Sequence, residues 1–219
     1  MSGLQRRTWV AHCSLGALSL ALGGAAAAQP DARPGTPVIL VVGDSLSAEY
    51  GLAAGQGWVA LLQARLAQQK RPHRVVNASI SGDTTAGGRA RLEAALKAHR
   101  PAIVIIELGG NDALRGLPLA GTRDNLLAMT RQAQTAGAKV LIVGMQVPPN
   151  YGSRYASDFA GLFSQVAKEG KTALVPFLLS GVADRPDAAN WFQPDRIHPL
   201  AKAHPLMLDQ VWPVLRPLL

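Results

Sequence analysis

Short apolar runs alternate with longer amphipathic segments from residue 36 onward. Segments between the runs carry apolar side chains at helical spacing, as at Trp58, Leu62 and Leu66. The runs are rich in Val and Ile, as buried strands are, and occupy residues 37–42, 73–78, 102–108, 139–145 and 172–177. Strands that alternate with helices in this way predict an α/β domain with a five-stranded parallel sheet covered by helices on both faces.

Proline modifies this pattern near the end of the chain. Pro205 and Pro213 interrupt the last helical segment. Because proline lacks the backbone N–H that a helix interior uses, we expect this helix to kink or to begin late.

The first 28 residues have the pattern of an export leader. Arg6 and Arg7 precede an apolar stretch over residues 14–24, and small residues follow it. The stretch is shorter than the roughly 20 residues that a membrane-spanning helix needs. The predicted organisation is a signal peptide over residues 1–28 removed near Ala28, a flexible entry over 29–36 and a single domain over 37–219. The predicted location is therefore periplasmic or extracellular.

Composition narrows the chemistry of the exported chain. Its 219 residues are 48% hydrophobic and 16% charged, which is typical of one globular domain with a substantial core. Cys13 is the single cysteine and lies in the leader, so neither a disulfide nor a thiolate metal site is expected afterwards. Removing Arg6 and Arg7 lowers the net charge from +8 to +6. The remaining basic residues are scattered, which argues against nucleic-acid binding and leaves a weak attraction to anionic membrane surfaces.

Small and polar residues follow each predicted strand. Because the carboxyl ends of parallel strands share one edge of a sheet, we expect these stretches to gather there. They read "GDSLS" (43–47), "SISGDTT" (79–85), "GGND" (109–112), "QVPPNYG" (146–152) and "DRIHP" (195–199).

Ser45 lies in the first of these stretches and has several possible roles. A serine at this place could be a turn residue, a phosphate-binding hydroxyl or a nucleophile. A nucleophile needs a histidine base that is held by an acid, and Asp195 and His198 lie three residues apart, within reach of each other. We expect Pro199 to occupy the first turn of the last helix and to fix the direction of His198. We interpret His204 as a surface residue.

Acyl transfer also needs hydrogen-bond donors for an oxyanion. The candidates are the backbone N–H of Ser45, the N–H of Gly82, where the missing Cβ lets a substrate approach, and the side-chain amide of Asn111. Each has a simpler interpretation as a turn residue. The convergence of these features on one sheet edge favours catalysis.

The blocks "GDSLS", the Gly of "ISGDTT", "GGND" and "DRIHP" resemble, in order, those of the SGNH (GDSL) hydrolases. The sequence around these blocks resembles that of the bacterial periplasmic branch of thioesterases, lysophospholipases and arylesterases. The resemblance implies a three-layer α/β/α sandwich with a flavodoxin-like strand order. It also implies that Ser45 is the nucleophile, that His198 is the base oriented by Asp195, and that Gly82 and Asn111 complete the oxyanion hole. The substrate it implies is an acyl ester or thioester, including lipids.

The acyl group has candidate contacts in the loops. Leu114 and Leu117 follow "GGND", and Tyr151 follows the fourth strand. These side chains suit an aliphatic chain, although they could equally be core residues beneath the loops. The segment 184–194 is unusual for the family and carries Trp191 and Phe192 close to the histidine.

Several other functions are compatible with the sequence alone. A carbohydrate O-acetylesterase or a non-catalytic binding module could share the fold, and a flavin or phosphate binder could use the loop after the first strand. A metallohydrolase lacks a ligand cluster around Asp195 and His198, and an α/β-hydrolase would need glycine where Ser47 stands. We expect a monomer without cofactor or metal.

Overall fold

The computed structural model describes residues 35–219, so the predicted signal peptide and all but the end of the flexible entry lie outside the described residues. The strands are β1 (Val38–Gly43), β2 (Arg74–Asn77), β3 (Ile103–Glu107), β4 (Lys139–Val143) and β5 (Ala173–Val175). The helices are α1 (Trp58–Gln68), α2 (Thr85–His99), α3 (Gly110–Leu114), α4 (Leu119–Thr135), α5 (Ser153–Gly170) and α6 (His204–Leu215). Short 3₁₀ turns occupy Pro149–Tyr151, Ala188–Trp191, Ala201–Ala203 and Arg216–Leu218.

The five strands form one parallel sheet in the order β2-β1-β3-β4-β5, as in flavodoxin-like folds. Every residue of β1 and β3 is buried, which accounts for the continuous Val and Ile in their sequences. The predicted sheet and its strand order are confirmed.

Helices cover the sheet on both sides. Helices α1 and α6 pack against each other, and α4 packs between α2 and α5. The residues predicted at helical spacing in α1, Trp58, Leu62 and Leu66, are fully buried. The predicted three-layer α/β/α sandwich is therefore confirmed. None of the helices within residues 35–219 combines the length and the apolar character needed to cross a membrane.

The strand order places a topological switch between β1 and β3. From β1 the chain crosses to β2 on one side, and β3 lies on the other side of β1. Ligands of open parallel sheets bind at such a point, beyond the carboxyl ends of the strands. Ser45 follows β1 and Asn111 follows β3, so the fold brings these two residues to that crevice.

The last helix begins late, as expected from its prolines, but it does not include Pro199. It begins at His204 with Pro205 in its first turn, where a missing N–H breaks no hydrogen bond, and Pro213 lies within its last turn. Pro199 is not in a helix, so that prediction is wrong. It pairs with Phe192 in an isolated antiparallel bridge, and the N–H of Leu200 donates to the carbonyl of Trp191 at 2.8 Å. This pairing keeps the backbone after His198 extended.

Candidate active site

Ser45, His198 and Asp195 form a continuous chain of hydrogen bonds. The Oγ of Ser45 lies 2.8 Å from Nε2 of His198, and Nδ1 of His198 lies 2.7 Å from Oδ2 of Asp195. The strand end of β1 presents the serine, while the loop before α6 presents the other two side chains. The fold thus brings together the three residues selected from the sequence, with Ser45 and His198 separated by 153 positions in the chain. Their arrangement is that of a serine, a base and an orienting acid.

The turn from Asp195 to His198 is stabilised by hydrogen bonds between its own residues. Oδ1 of Asp195 accepts the backbone N–H of Ile197 at 2.9 Å and of His198 at 3.0 Å. Desolvation of the Asp195 carboxyl opposes its ionisation, but the hydrogen bonds from His198 and Ile197 outweigh it and lower its pKa to about 2. Asp195 is therefore an anion at any pH where a neutral histidine is present.

Tyr50 and Gln193 support the histidine from the other side. The ring of Tyr50 lies against the imidazole of His198, with centroids 4.3 Å apart. The side-chain amide of Gln193 donates to the carbonyls of Tyr50, at 2.9 Å, and Pro199, at 3.2 Å. Its backbone N–H also donates to the carbonyl of His198 at 2.7 Å. The segment 184–194, whose role the sequence left open, thus ties the loop after β1 to the histidine turn.

Gly82 lies in a turn beside the serine loop. Its φ is +79°, and the N–H of Asp83 donates to the carbonyl of Ile80 at 3.1 Å, which closes the turn. A Cβ added at Gly82 would approach only Nη2 of Arg115, at 3.8 Å, so the space over this residue is open. The N–H of Ile80 donates to the carbonyl of Gly43 at 3.0 Å and fixes the turn to the end of β1.

Asn111 lies in the first turn of α3, which begins at Gly110, rather than in a simple turn. Gly109 precedes this short helix with a φ of +121°, and a side chain there would press on Phe163. The Nδ2 of Asn111 donates to Oδ2 of Asp44 at 3.0 Å, and Asn111 is half-buried. The last residue of "GGND" has another role, because Asp112 is buried and accepts the N–H of Thr85 at 2.9 Å.

A buried carboxyl group lies beneath the serine loop. Oε2 of Glu107 accepts the hydroxyl of Ser47 at 2.7 Å, and the indole N–H of Trp58 donates to the same hydroxyl oxygen at 3.2 Å. Burial raises the pKa of Glu107 well above its usual range, and the charge of Asp44 raises it further. A Cβ at Gly43 would come within 2.8 Å of both Glu107 Oε2 and Ser47 Oγ, which explains the glycine before Asp44.

The candidate acyl contacts lie on the surface. Leu114, Leu117 and Tyr151 are exposed by 43%, 39% and 37%, so they are not core residues beneath their loops. Within residues 35–219 the exposed large hydrophobic side chains all lie in segments that follow the carboxyl end of a strand: Tyr50, Ile80, Leu114, Leu117, Tyr151 and Ile197.

Sequence reasoning missed Asp44, Glu107, Tyr50 and Gln193. One signal was available: the single acidic residue at the end of the apolar run "AIVIIEL" indicates a buried carboxyl group. The contacts of Tyr50 and Gln193 depend on the loop conformation and have no comparable signal. Among the described residues, no group of three or more His, Asp or Glu side chains is arranged as metal ligands.

Comparison with known proteins identifies the family. The model of the GDSL-like Lipase/Acylhydrolase family matches residues 41–206. The chain belongs to this family. As predicted from its four blocks, it is a hydrolase of acyl esters.

Its relatives are similar over most of their length. Esterase TesA of Pseudomonas aeruginosa is 55% identical over 181 residues, which cover 83% of this chain and 89% of that protein. The thioesterase 1/protease 1/lysophospholipase L1 of Escherichia coli K12 is 42% identical over 180 residues, covering 82% and 84% respectively. A solved structure described as that of TesA, 55% identical, superposes with a TM-score of 0.80 over 83% of this chain and 99% of that one.

Proposed function

We propose that Ser45 is the nucleophile of a serine esterase and that His198 is its general base. The observation that carries this proposal is the unbroken contact from Ser45 Oγ through His198 to Asp195, with distances of 2.8 and 2.7 Å. A neutral His198 accepts the hydroxyl proton at Nε2 while Oγ forms a bond to the acyl carbon. Asp195 accepts the proton on Nδ1 in a hydrogen bond and stabilises the imidazolium that results.

The negative charge that develops on the carbonyl oxygen needs donors at the switch between β1 and β3. The proposed donors are the backbone N–H groups of Ser45 and Gly82 and the side-chain amide of Asn111. The imidazolium of His198 then protonates the leaving oxygen or sulfur as its bond to carbon breaks, which leaves an acyl group on Ser45. Water, deprotonated by His198, attacks this acyl-enzyme and releases a carboxylic acid with Ser45 regenerated.

Apolar acyl esters are the substrates we propose, among them aryl esters, lysophospholipids and acyl thioesters. The exposed side chains of Leu114, Leu117 and Tyr151 offer apolar surface at the edge where the serine lies. Each methylene group that they cover contributes about 0.8 kcal/mol of binding free energy. The names of two relatives, an esterase and a thioesterase/lysophospholipase, support the same range of leaving groups.

The cellular location and the oligomeric state of the enzyme are also part of the proposed function. We propose that residues 1–28 direct export and are removed, and that the enzyme acts as a monomer in the periplasm or outside the cell. Weak association with a membrane surface is compatible with the net charge of +8, which falls to +6 without the leader.

The test is a substrate panel with the Ser45→Ala variant. We expect p-nitrophenyl esters of increasing chain length, an acyl thioester and a lysophospholipid to be hydrolysed faster than an acetylated sugar. The variant should lose activity by about 10⁶-fold while keeping its melting temperature, as other triad variants do. An organophosphonate should label Ser45, which mass spectrometry detects. A variant that kept a tenth of the activity, or a preference for acetylated sugar, would overturn the corresponding part of the proposal.

A further inference from the structure

The side-chain amide of Asn111 can adopt two orientations, and only one of them can serve an oxyanion. A carboxamide carries an N–H edge and a carbonyl edge of nearly equal shape, and turning it by half a revolution exchanges them. Only the N–H edge can stabilise an oxyanion, because the carbonyl oxygen would repel it. Packing alone does not distinguish the two orientations, so a chemical constraint must hold the amide of Asn111 in the productive one.

We propose that Asp44 is a positioning residue that selects the catalytic orientation of the Asn111 amide. Oδ2 of Asp44 lies 3.0 Å from Nδ2 of Asn111. An ionised carboxylate has no proton to donate, so it accepts only the N–H edge of the amide. One amide proton is then engaged by Asp44, and the other stays available on the side of the substrate. The inference rests on the proposed function, since it assumes that Asn111 is an oxyanion donor.

Asp44 is itself held firmly in place. Its side chain is only 2% exposed, and Oδ1 accepts the backbone N–H of Leu46 at 3.1 Å. The carboxylate packs against the start of α3, since a Cβ added at Gly110 would lie in ordinary van der Waals contact with Oδ2, at 3.6 Å. Because Asp44 and Ser45 are adjacent in the chain, the carboxylate links the position of the nucleophile to that of the amide.

The charge of Asp44 depends on its surroundings. Burial raises the pKa of Asp44 to about 6, against the hydrogen bonds from Leu46 and Asn111 and the charge of His198, which lower it. Asp83 faces it from the loop after β2 and raises the pKa slightly, although Arg91 pairs with Asp83 at 2.8 Å.

Glu107 faces Asp44 from the end of β3. Burial raises its own pKa well above the usual range, and the charge of Asp44 raises it further, so the two carboxyl groups resist being ionised together. The pKa of Asp44 is about 6, so the carboxylate that accepts the Asn111 amide forms as the pH rises through about 6. Below that pH, protonated Asp44 can donate its hydroxyl to the amide oxygen, which permits the unproductive orientation of Asn111.

The experiment measures the contribution of Asn111 to catalysis as a function of pH. The ratio of kcat for the unmodified enzyme to kcat for Asn111→Ala is determined with one p-nitrophenyl ester between about pH 5 and pH 8. Taking the ratio removes any effect of pH on the serine and its base that the two enzymes share. We expect a ratio of about 10²–10³ at pH 8, as for other oxyanion donors. It should fall by pH 5 by at least about twofold and at most about tenfold, because only about a tenth of Asp44 is then ionised and protonated Asp44 no longer selects one amide edge.

The outcomes separate this inference from the proposed function. A ratio close to one at pH 8 would show that Asn111 is not an oxyanion donor, and the proposed role of Asn111 would fail. A large ratio that does not change with pH would overturn the role of Asp44 and leave the serine mechanism intact.

A double-mutant cycle measures the coupling between Asp44 and Asn111 at a single pH. Asp44→Asn can both donate and accept, so it no longer selects one amide edge. We expect it to lower kcat about twofold or more in the unmodified enzyme, with KM nearly unchanged, and to have no further effect in the Asn111→Ala background. Equal losses in the two backgrounds would contradict the proposal. If Asp44→Asn does not fold, the pH dependence of the Asn111 ratio still decides it.

Discussion

The ring of Tyr50 lies 4.3 Å from the imidazole of His198, centroid to centroid, at an angle of 36°. Tyr50 comes from the loop after β1, and His198 comes from the loop before α6. The contact limits how the imidazole can turn and places an aromatic face near the positive charge that forms on it during acyl transfer.

Replacing Tyr50 tests this contact. Aromatic pairs contribute about 0.5–1.5 kcal/mol beyond their buried area, so Tyr50→Ala should lower kcat/KM about 2- to 12-fold. Tyr50→Phe keeps the ring and should retain nearly full activity. The measurement uses an acetate ester, because its acyl group offers the smallest apolar surface to the surrounding loops. Equal activity of the two variants would mean that the ring does not support the histidine.

Asn111→Ala should lower kcat by about 10²–10³ at neutral pH, because one donor to the oxyanion is lost. The contact with Asp44 adds a cost in stability of about 1–3 kcal/mol, since a buried carboxylate loses a hydrogen bond. Steady-state kinetics and thermal unfolding measure the two effects separately.

A matched control is Asn125→Ala. The amide of Asn125 donates to the hydroxyl of Thr85 at 3.1 Å. This variant also loses a hydrogen bond, so its melting temperature should fall while kcat stays unchanged. If Asn111→Ala behaved in the same way, Asn111 would be a structural residue only.

Leu117→Ala should change the preference for acyl chain length. Leu117 is exposed by 39% on the loop that follows α3, where an acyl chain could lie against it. Losing this surface should reduce the ratio of decanoate to acetate hydrolysis by about 5- to 30-fold in kcat/KM, equivalent to about 1–2 kcal/mol.

The control for Leu117 is Leu206→Ala. Leu206 lies on α6 and packs against the core. Its loss should reduce stability and leave the ratio of the two esters unchanged. The same unchanged ratio in Leu117→Ala would exclude a role for Leu117 in binding the acyl chain.

Histidine 204 makes stability depend on pH. The Nδ1 of His204 accepts the backbone N–H of Trp58 at 3.0 Å, at the start of α1, and the side chain is buried. Burial lowers the pKa of His204, against the opposing effects of the Pro199 carbonyl and the charge of Glu49. The unfolded chain therefore binds a proton more readily than the folded protein does. Stability is full above the unfolded value of about 6.5 and falls as the pH drops below it.

The variant His204→Asn checks this dependence. Its side-chain oxygen can accept the N–H of Trp58 and does not titrate, so unfolding free energy should fall less between about pH 7 and pH 5 than in the unmodified protein. Urea unfolding at several pH values gives the comparison. Parallel pH profiles for the two proteins would refute the assignment to His204.

The sequence alone determined the sheet and the place of the candidate site. Five short runs rich in Val, Ile and Leu, separated by helical segments, predict a parallel sheet, and parallel strands bring whatever follows them to one edge. Ser45, Gly82, Asn111 and His198 could therefore be selected without coordinates, because each comes just before or after a recognisable element. The spacing of Asp195 and His198 is a local property, and so it was also readable.

Tertiary structure decided the interactions that join distant parts of the chain. Pro199 was expected in a helix, but its pairing with Phe192 holds it extended. The contact of Asp44 with Asn111 spans 67 residues, and that of Trp58 with His204 spans 146. Local pattern carries no information on such contacts, because a buried histidine and a surface histidine have the same neighbours in sequence. The residues that orient the amide of Asn111 and support the imidazole of His198 could therefore be identified only from the packing of the loops at the sheet edge.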